Sequence, residues 1–140
     1  MSELEHAKSL LATNNFTCVL CKGEAICTSR ERGVRPLVEW LESGKDLRGC
    51  SAADKVVGRA TAFLYVLLGA AAVYAKVISH SAKEVLSTHG ILVECDAEVE
   101  HIINRKGDGI CPFEAAVLAV ENAKDAYEVI RHTMTSLHIT

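Results

Sequence analysis

The sequence carries no surplus of positive charge. Fifteen Lys and Arg stand against eighteen Asp and Glu, a formal net charge of -3 at pH 7. That balance argues against nucleic acid or an anionic membrane as a partner held by charge alone. Aromatics are also scarce, at 5% of the chain, and no basic stripe interleaves with them. No strictly apolar run reaches the roughly 20 residues that a bilayer-spanning helix needs. The opening residues, MSELEHAKSL, lack the charged-then-apolar pattern of a secretory signal, so a cytoplasmic protein is expected. There is no internal repeat, no low-complexity tract and no linker. With 140 residues the expectation is one domain, 1–140. A chain of that length can bury roughly two-thirds of its unfolded surface.

Six cysteines are present. In a reducing compartment they are expected to be free thiols. Cys18, Cys21, Cys27 and Cys95 lie inside apolar stretches, where a thiol behaves as a small hydrophobe. The Cys18-x-x-Cys21 spacing looks like half of a zinc site. No second such pair follows, and a structural zinc needs four ligands. On a strand, residues three apart point to opposite faces.

Leu4 to Ala12 has the spacing of a short amphipathic helix, with Leu4, Ala7, Leu10 and Leu11 on one side. Phe16–Lys22 and Ala25–Ser29 form two strands around a Gly23-Glu24 turn, a hairpin. Pro36–Ser43 is a helix with Pro36 in its first turn and Gly44 just past its end. The longest coherent stretch is Ser51 to Ala71. It is read as one central helix, polar only at its start, because a helix apolar on every side belongs in a core. Val73–Ser79 is expected to be a central strand, His80–His89 a helix capped by Ser79 or Ser81, and Ile91–Glu94 a strand. That succession implies a parallel crossover. Asp96 to Ile103 is a short helix or a loop. Asn104–Gly109 is a glycine-rich loop, Cys111–Val120 a helix and Lys124–Leu137 a last amphipathic helix.

Two of these helix starts share a pattern. Ser51-Ala-Ala-Asp54 and Cys111-Pro-Phe-Glu114 each place a hydroxyl or thiol at the cap and a carboxylate three residues on. At the first, Ser51 and Asp54 are read either as a ligand site or as an ordinary capping box. At the second, Gly107 and Gly109 would let backbone N–H groups approach a ligand, and Arg105 and Lys106 add positive charge. A thiol at a helix start has its pKa lowered, so Cys111 is the candidate nucleophile. The bland alternative is a cap beside a surface turn. Lys55, if buried, needs a partner such as Asp54 or Glu114. Gly58 suggests that another backbone passes close.

ERGVRPLVEWLESGKDLRG, SAADKVVGRATAFLYVLLGA and GDGICPFEAAVL together resemble a small uncharacterised bacterial and archaeal family, a domain of unknown function. The resemblance runs from about Leu4 to Leu137. It implies a cytidine-deaminase-like fold, a three-layer α/β/α sandwich around a mixed sheet. Active zinc deaminases carry H-x-E or C-x-E at one helix start and P-C-x-x-C at the next. Here the corresponding stretches read Cys50-Ser-Ala-Ala-Asp54 and Ser79-His-Ser-Ala-Lys83, and neither pattern is present. No metal site is therefore expected, the odd set Cys50, His80 and Cys111 being the one alternative.

The expected function is binding of a small anionic or nucleotide-like ligand, with no zinc deaminase activity. Ser51, Asp54 and Lys55 would contribute from one helix start, and Arg105, Gly107, Gly109, Cys111 and Glu114 from the other. Were it an enzyme, Cys111 would be the nucleophile and Asp54 or Glu114 would move the proton. The other reading is a non-catalytic assembly or regulatory module. No cofactor is indicated. A compact sheet protein is compatible with homo-oligomers, although no residue points to one.

Overall fold

A computed structural model describes residues 2–31, 33–103, 107 and 109–137. The elements are α1 (Glu3–Thr13), β1 (Cys18–Lys22), β2 (Ala25–Ser29), α2 (Arg35–Glu42), β3 (Ser51–Val57), α3 (Arg59–Leu68), β4 (Ala72–Ser79), α4 (His80–Thr88), β5 (Leu92–Val99), α5 (Pro112–Ala116) and α6 (Ala123–Ser136). The sheet order is β2-β1-β3-β4-β5. β1 runs antiparallel to both β2 and β3, whereas β3, β4 and β5 are mutually parallel. The sheet is therefore mixed, and the chain is of the α/β class.

The hairpin, α2, β4 and α4 fall within a residue or two of the expected bounds. The main correction concerns Ser51–Ala71, which is not one helix. Its first third is β3, the middle strand of the sheet, and α3 begins only after Gly58. The reason is burial on both faces. Ala52 packs into the larger core on the α3 side and Ala53 into the smaller core under α1. A strand covered on both sides loses its polar alternation and merges with the apolar helix that follows it. It follows that β4 is the fourth strand rather than the central one. β5 extends to Val99 through residues expected to be helix or loop, and the helix after Cys111 stops at Ala116 rather than Val120.

Helix α1 covers one face of β1, β3 and β4 with Leu4, Ala7 and Leu11. The other helices cover the opposite face, with α3 in their midst, so the layers are helix, sheet, helices. Phe63, Leu64 and Tyr65 of α3 are fully buried. Gly69, at φ 78°, ends α3 in the left-handed conformation that suits glycine. Cys18 and Cys21 do lie in the two opposite cores, as their spacing requires.

The parallel strands share an irregularity. Side chains along a strand alternate between faces, but here the alternation slips by one residue. Ala53 lies under α1, yet Val57, of the same parity, belongs to the α3 core. Tyr74 and Ile78 behave the same way. On β5, Asp96 bonds Tyr74 on the α1 face, while Glu98 bonds His80 and Lys83 of α4. The register is the same on both sides of the slip, Val56 opposite Val77 and Val77 opposite Ala97, while Lys55 with Lys76 and Lys76 with Asp96 drop out of the pairing. The three strands therefore bend together, and Val56 is left 44% exposed.

Position on α3 should decide the cost of truncation. Phe63→Ala removes a fully buried ring and should lower the unfolding free energy by about 3–5 kcal/mol in urea titrations. Leu67→Ala, at a residue 38% exposed, should cost about 1 kcal/mol or less.

Candidate functional site

The parallel order β3-α3-β4-α4-β5 puts the starts of α3 and α4 at the same edge of the sheet, beyond the carboxyl ends of β3 and β4. Open α/β sheets place ligands at that edge. The first N–H groups of a helix have no partner within it. At α4, Ser79 supplies one, accepting from Ala82 N at 3.1 Å. Gly58 has no side chain to do the same for α3. The partner comes from α5 instead. Glu114 Oε1 accepts from Arg59 N at 2.7 Å and Oε2 from Ala60 N at 2.9 Å. A carboxylate at a helix start is also favoured by the helix dipole. A Cβ on Gly58 would overlap the Glu114 carboxylate, so a larger residue there must displace that side chain from its two bonds. The sequence flagged a close approach there, but the neighbour is a side chain and not backbone.

Arg59 completes the arrangement. Its Nε donates to Val117 O at 3.2 Å, Nη1 to Ser81 Oγ at 2.9 Å and Nη2 to Val120 O. The guanidinium also lies 5.0 Å from the centre of the Phe63 ring. One residue thus ties α3 to α4 and to the turn between α5 and α6. Sequence reasoning missed it, because an arginine heading an apolar run looks like a solvated charge. The pattern Gly58-Arg59-Ala-Thr-Ala, after two valines, was the available sign of a helix start.

Asp54 does not cap a helix. It lies on β3, 9% exposed, on the α3 side of the sheet. Tyr65 Oη donates to Asp54 Oδ2 at 2.7 Å and Val56 N donates to Oδ1 at 3.3 Å. Cys18 Sγ is 3.1 Å from Tyr65 Oη. The tyrosine has one hydroxyl proton, which goes to Asp54, so with Asp54 ionised the thiol donates to the tyrosine oxygen. Burial pushes the Asp54 carboxyl up to about 6, and the bonds from Tyr65 and Val56 pull part of the way back. Burial likewise pushes the Tyr65 hydroxyl and the Cys18 thiol well up, with Asp54 adding to both.

The other expected residues are dispersed. Ser51 opens β3 at its amino end, so about 20 Å of strand separates it from Val57. Lys55 is half-buried and its N–H bonds Thr17 O. Asp54 and Glu114, the partners expected for its ammonium, are engaged elsewhere and share no hydrogen-bond partner with each other. Cys111 precedes α5, half-buried, with its side chain against the larger core. Gly107 is exposed and Gly109 half-buried. Arg105 and Lys106 lie outside the described residues. Cys50 is fully buried before β3, at the opposite end of the strands from His80. The two cannot ligate one ion with Cys111, and no group of three or more metal-ligating side chains occurs among the described residues. His80 is held by Glu98 at 2.8 Å and Glu84 at 3.1 Å, and these carboxylates raise its pKa. A shallow depression of about 300 Å³, lined by Leu41, Lys45, Arg48 and Leu67, lies at the other end of α3. No helix is long and apolar enough to cross a membrane among the described residues.

The native state holds the Asp54 proton to higher pH than the unfolded chain does. Asp54 therefore favours folding most below about pH 4 and loses that contribution as pH rises to about 6, by an amount on the order of 1–3 kcal/mol. The stability of wild type relative to Asp54→Asn, measured in urea across this range, should fall accordingly and then level off. For the clasp at α3, Gly58→Ala should destabilise wild type by about 2 kcal/mol or more but cost much less in a Glu114→Ala background. Urea midpoints of the four proteins give that coupling.

The comparisons with known proteins agree with this architecture. A crystal structure of a DUF1893 family protein, TM1506 from Thermotoga maritima, superposes with a TM-score of 0.86 at 25% identity, covering 93% of this chain and 88% of that one. None of the curated proteins matches the chain. The family model described as TM1506, domain of unknown function (DUF1893), matches residues 6–134, and the chain belongs to that family.

Proposed function

We propose that this protein binds a small anionic ligand, a phosphate or nucleotide-like group, at the start of α3, and that Glu114 holds that seat when the ligand is absent. The observation that carries the reading is the pair of bonds from Arg59 N and Ala60 N to the two oxygens of one carboxylate, over a glycine with no Cβ. Helix starts of this kind accept phosphate for the same physical reason. Ser81 and the α4 start lie beside it through Arg59. Cys111, three residues before Glu114, and Gly107 and Gly109 before it would move with the segment that Glu114 anchors. Ser51 is too far along β3 to share such a ligand, and Asp54 acts from within the core.

The deaminase-like resemblance enters on the same terms. Zinc deaminases use two adjacent helix starts for their metal and their glutamate. Here those starts read Gly58-Arg59-Ala60 and Ser79-His80-Ser81-Ala82-Lys83. A guanidinium bonded to two carbonyls and a hydroxyl occupies the area, which does not fit a zinc ion. A second reading, a constitutive clasp in a non-catalytic assembly or regulatory module, is favoured by the internal satisfaction of Arg59. A thiol-dependent reaction at Cys111 is a third, supported only by its position three residues before Glu114.

Titration with inorganic phosphate and with a nucleoside monophosphate, followed by the Arg59 and Ala60 amide signals, separates the first two. If Glu114 guards an anion seat, Glu114→Ala should bind either probe about tenfold more tightly than wild type, since the internal competitor is gone. If Glu114→Ala only loses stability and those amides stay indifferent to both probes, the clasp is structural.

A further inference from the structure

Asp54 sits where the alternation of β3 slips. Its side chain accepts from the N–H two residues on, Val56, at 3.3 Å. That is the geometry of an Asx turn, a local bond that competes with regular strand structure. The last residue on the regular pattern is Asp54 itself, and the first on the shifted pattern is Val57, buried in the α3 core. Because the ladders are in register, β4 and β5 follow the bend. Chain direction then carries it straight into Gly58 and the start of α3.

We propose that Asp54 is a proton-dependent fastener of this bend: ionised, its carboxylate grips the Val56 N–H and sets the path of the chain into α3; protonated, it grips it only as a neutral acid and the donation order through Tyr65 and Cys18 reverses. The reversal follows when the added proton takes Oδ2, the oxygen that faces Tyr65. When Asp54 is ionised, Cys18 S–H donates to Tyr65 and Tyr65 O–H donates to Asp54. A proton taken from solvent onto Oδ2 must itself be donated, and the nearest acceptor is the Tyr65 oxygen. Tyr65 then turns its hydroxyl toward Cys18 Sγ, whose distance allows either direction. No covalent bond other than O–H is made or broken. A bond to a charged acceptor is about twice as strong as one to a neutral acceptor, so Val56 loses part of its hold.

The surroundings of Asp54 allow this transition near neutral pH. β1 contributes Cys18, α3 contributes Tyr65, and β4 presents Ala75 opposite Asp54. On β3 itself, Lys55 has its backbone N–H bonded to Thr17. Arg59, at the start of α3, is committed to Val117, Ser81 and Val120. Among the described residues the carboxylate is thus held by neutral donors and not by a cation, and it is the balance of burial against those donors that leaves it near 6. The inference does not rest on a ligand at α3, and its failure would leave that reading where it stands.

NMR of the intact protein between about pH 4 and 8 tests it, following the Asp54 carboxyl carbon together with the amides of Val56, Arg59 and Ala60. The amides should titrate with the same midpoint as the carboxyl carbon. Tyr65→Phe removes a donor that favours the ionised form, so it should move that common midpoint to higher pH. Asp54→Asn, if folded, should abolish the amide transition. A carboxyl signal that does not titrate in this range, or amides that ignore it, or an unshifted midpoint in Tyr65→Phe, would overturn the proposal.

Discussion

One carboxylate, reached from far along the chain, closes the start of the most buried helix in the molecule. Arg59 N and Ala60 N have no partner within α3, and the helix is apolar almost all round. Leaving those two N–H groups unpaired away from water would cost about 1–3 kcal/mol each. Glu114 removes that cost, and the consequences spread. α5 must lie against α3, a side chain at position 58 would push the carboxylate off its bonds, and the chain between α5 and α6 must pass where Arg59 can bond its carbonyls. The α2, α4 and α6 contacts with α3 then assemble around a helix whose polar end is already settled.

Elements bounded by punctuation were legible in the sequence. Gly23 between two short runs gives the hairpin, Pro36 and Gly44 frame α2, and Ser79 opens α4 by capping it. The stretch Ser51–Ala71 was not legible in the same way, and the reason is physical. β3 is covered by α1 on one face and α3 on the other, so its composition carries no period of two. Asp54 and Lys55 fall in mid-strand, where they look like the polar first turn of a helix. Only Gly58 separates strand from helix. The candidate site suffered from that misreading on one side alone. Glu114 does act at a helix start, as a carboxylate near a capped end suggests, but the start is that of α3 and not its own.

Asp54 and Glu114 show how one functional group behaves in two settings. Glu114 receives two backbone N–H groups at a helix start, where the dipole supports its charge. Asp54 receives a hydroxyl and one backbone N–H in the interior, and desolvation raises its pKa. The first arrangement fixes the place of the carboxylate through two hydrogen bonds. The second leaves the carboxyl poised between two protonation states. The slip of the three strands lies between Asp54 and Arg59 in the chain, so the interior carboxyl and the N–H groups that hold Glu114 are joined by only a few residues of backbone.

That proximity bears on what a ligand at α3 must supply. Glu114 competes from within the same molecule, at an effective concentration that for a short tether reaches the millimolar range or more. A ligand that merely replaced two hydrogen bonds would gain nothing over the side chain it displaced. It must bring a larger charge, further acceptors, or contacts of its own along the edge formed by α4 and the segment before α5. A phosphate attached to a larger polar body meets that requirement better than a simple carboxylate.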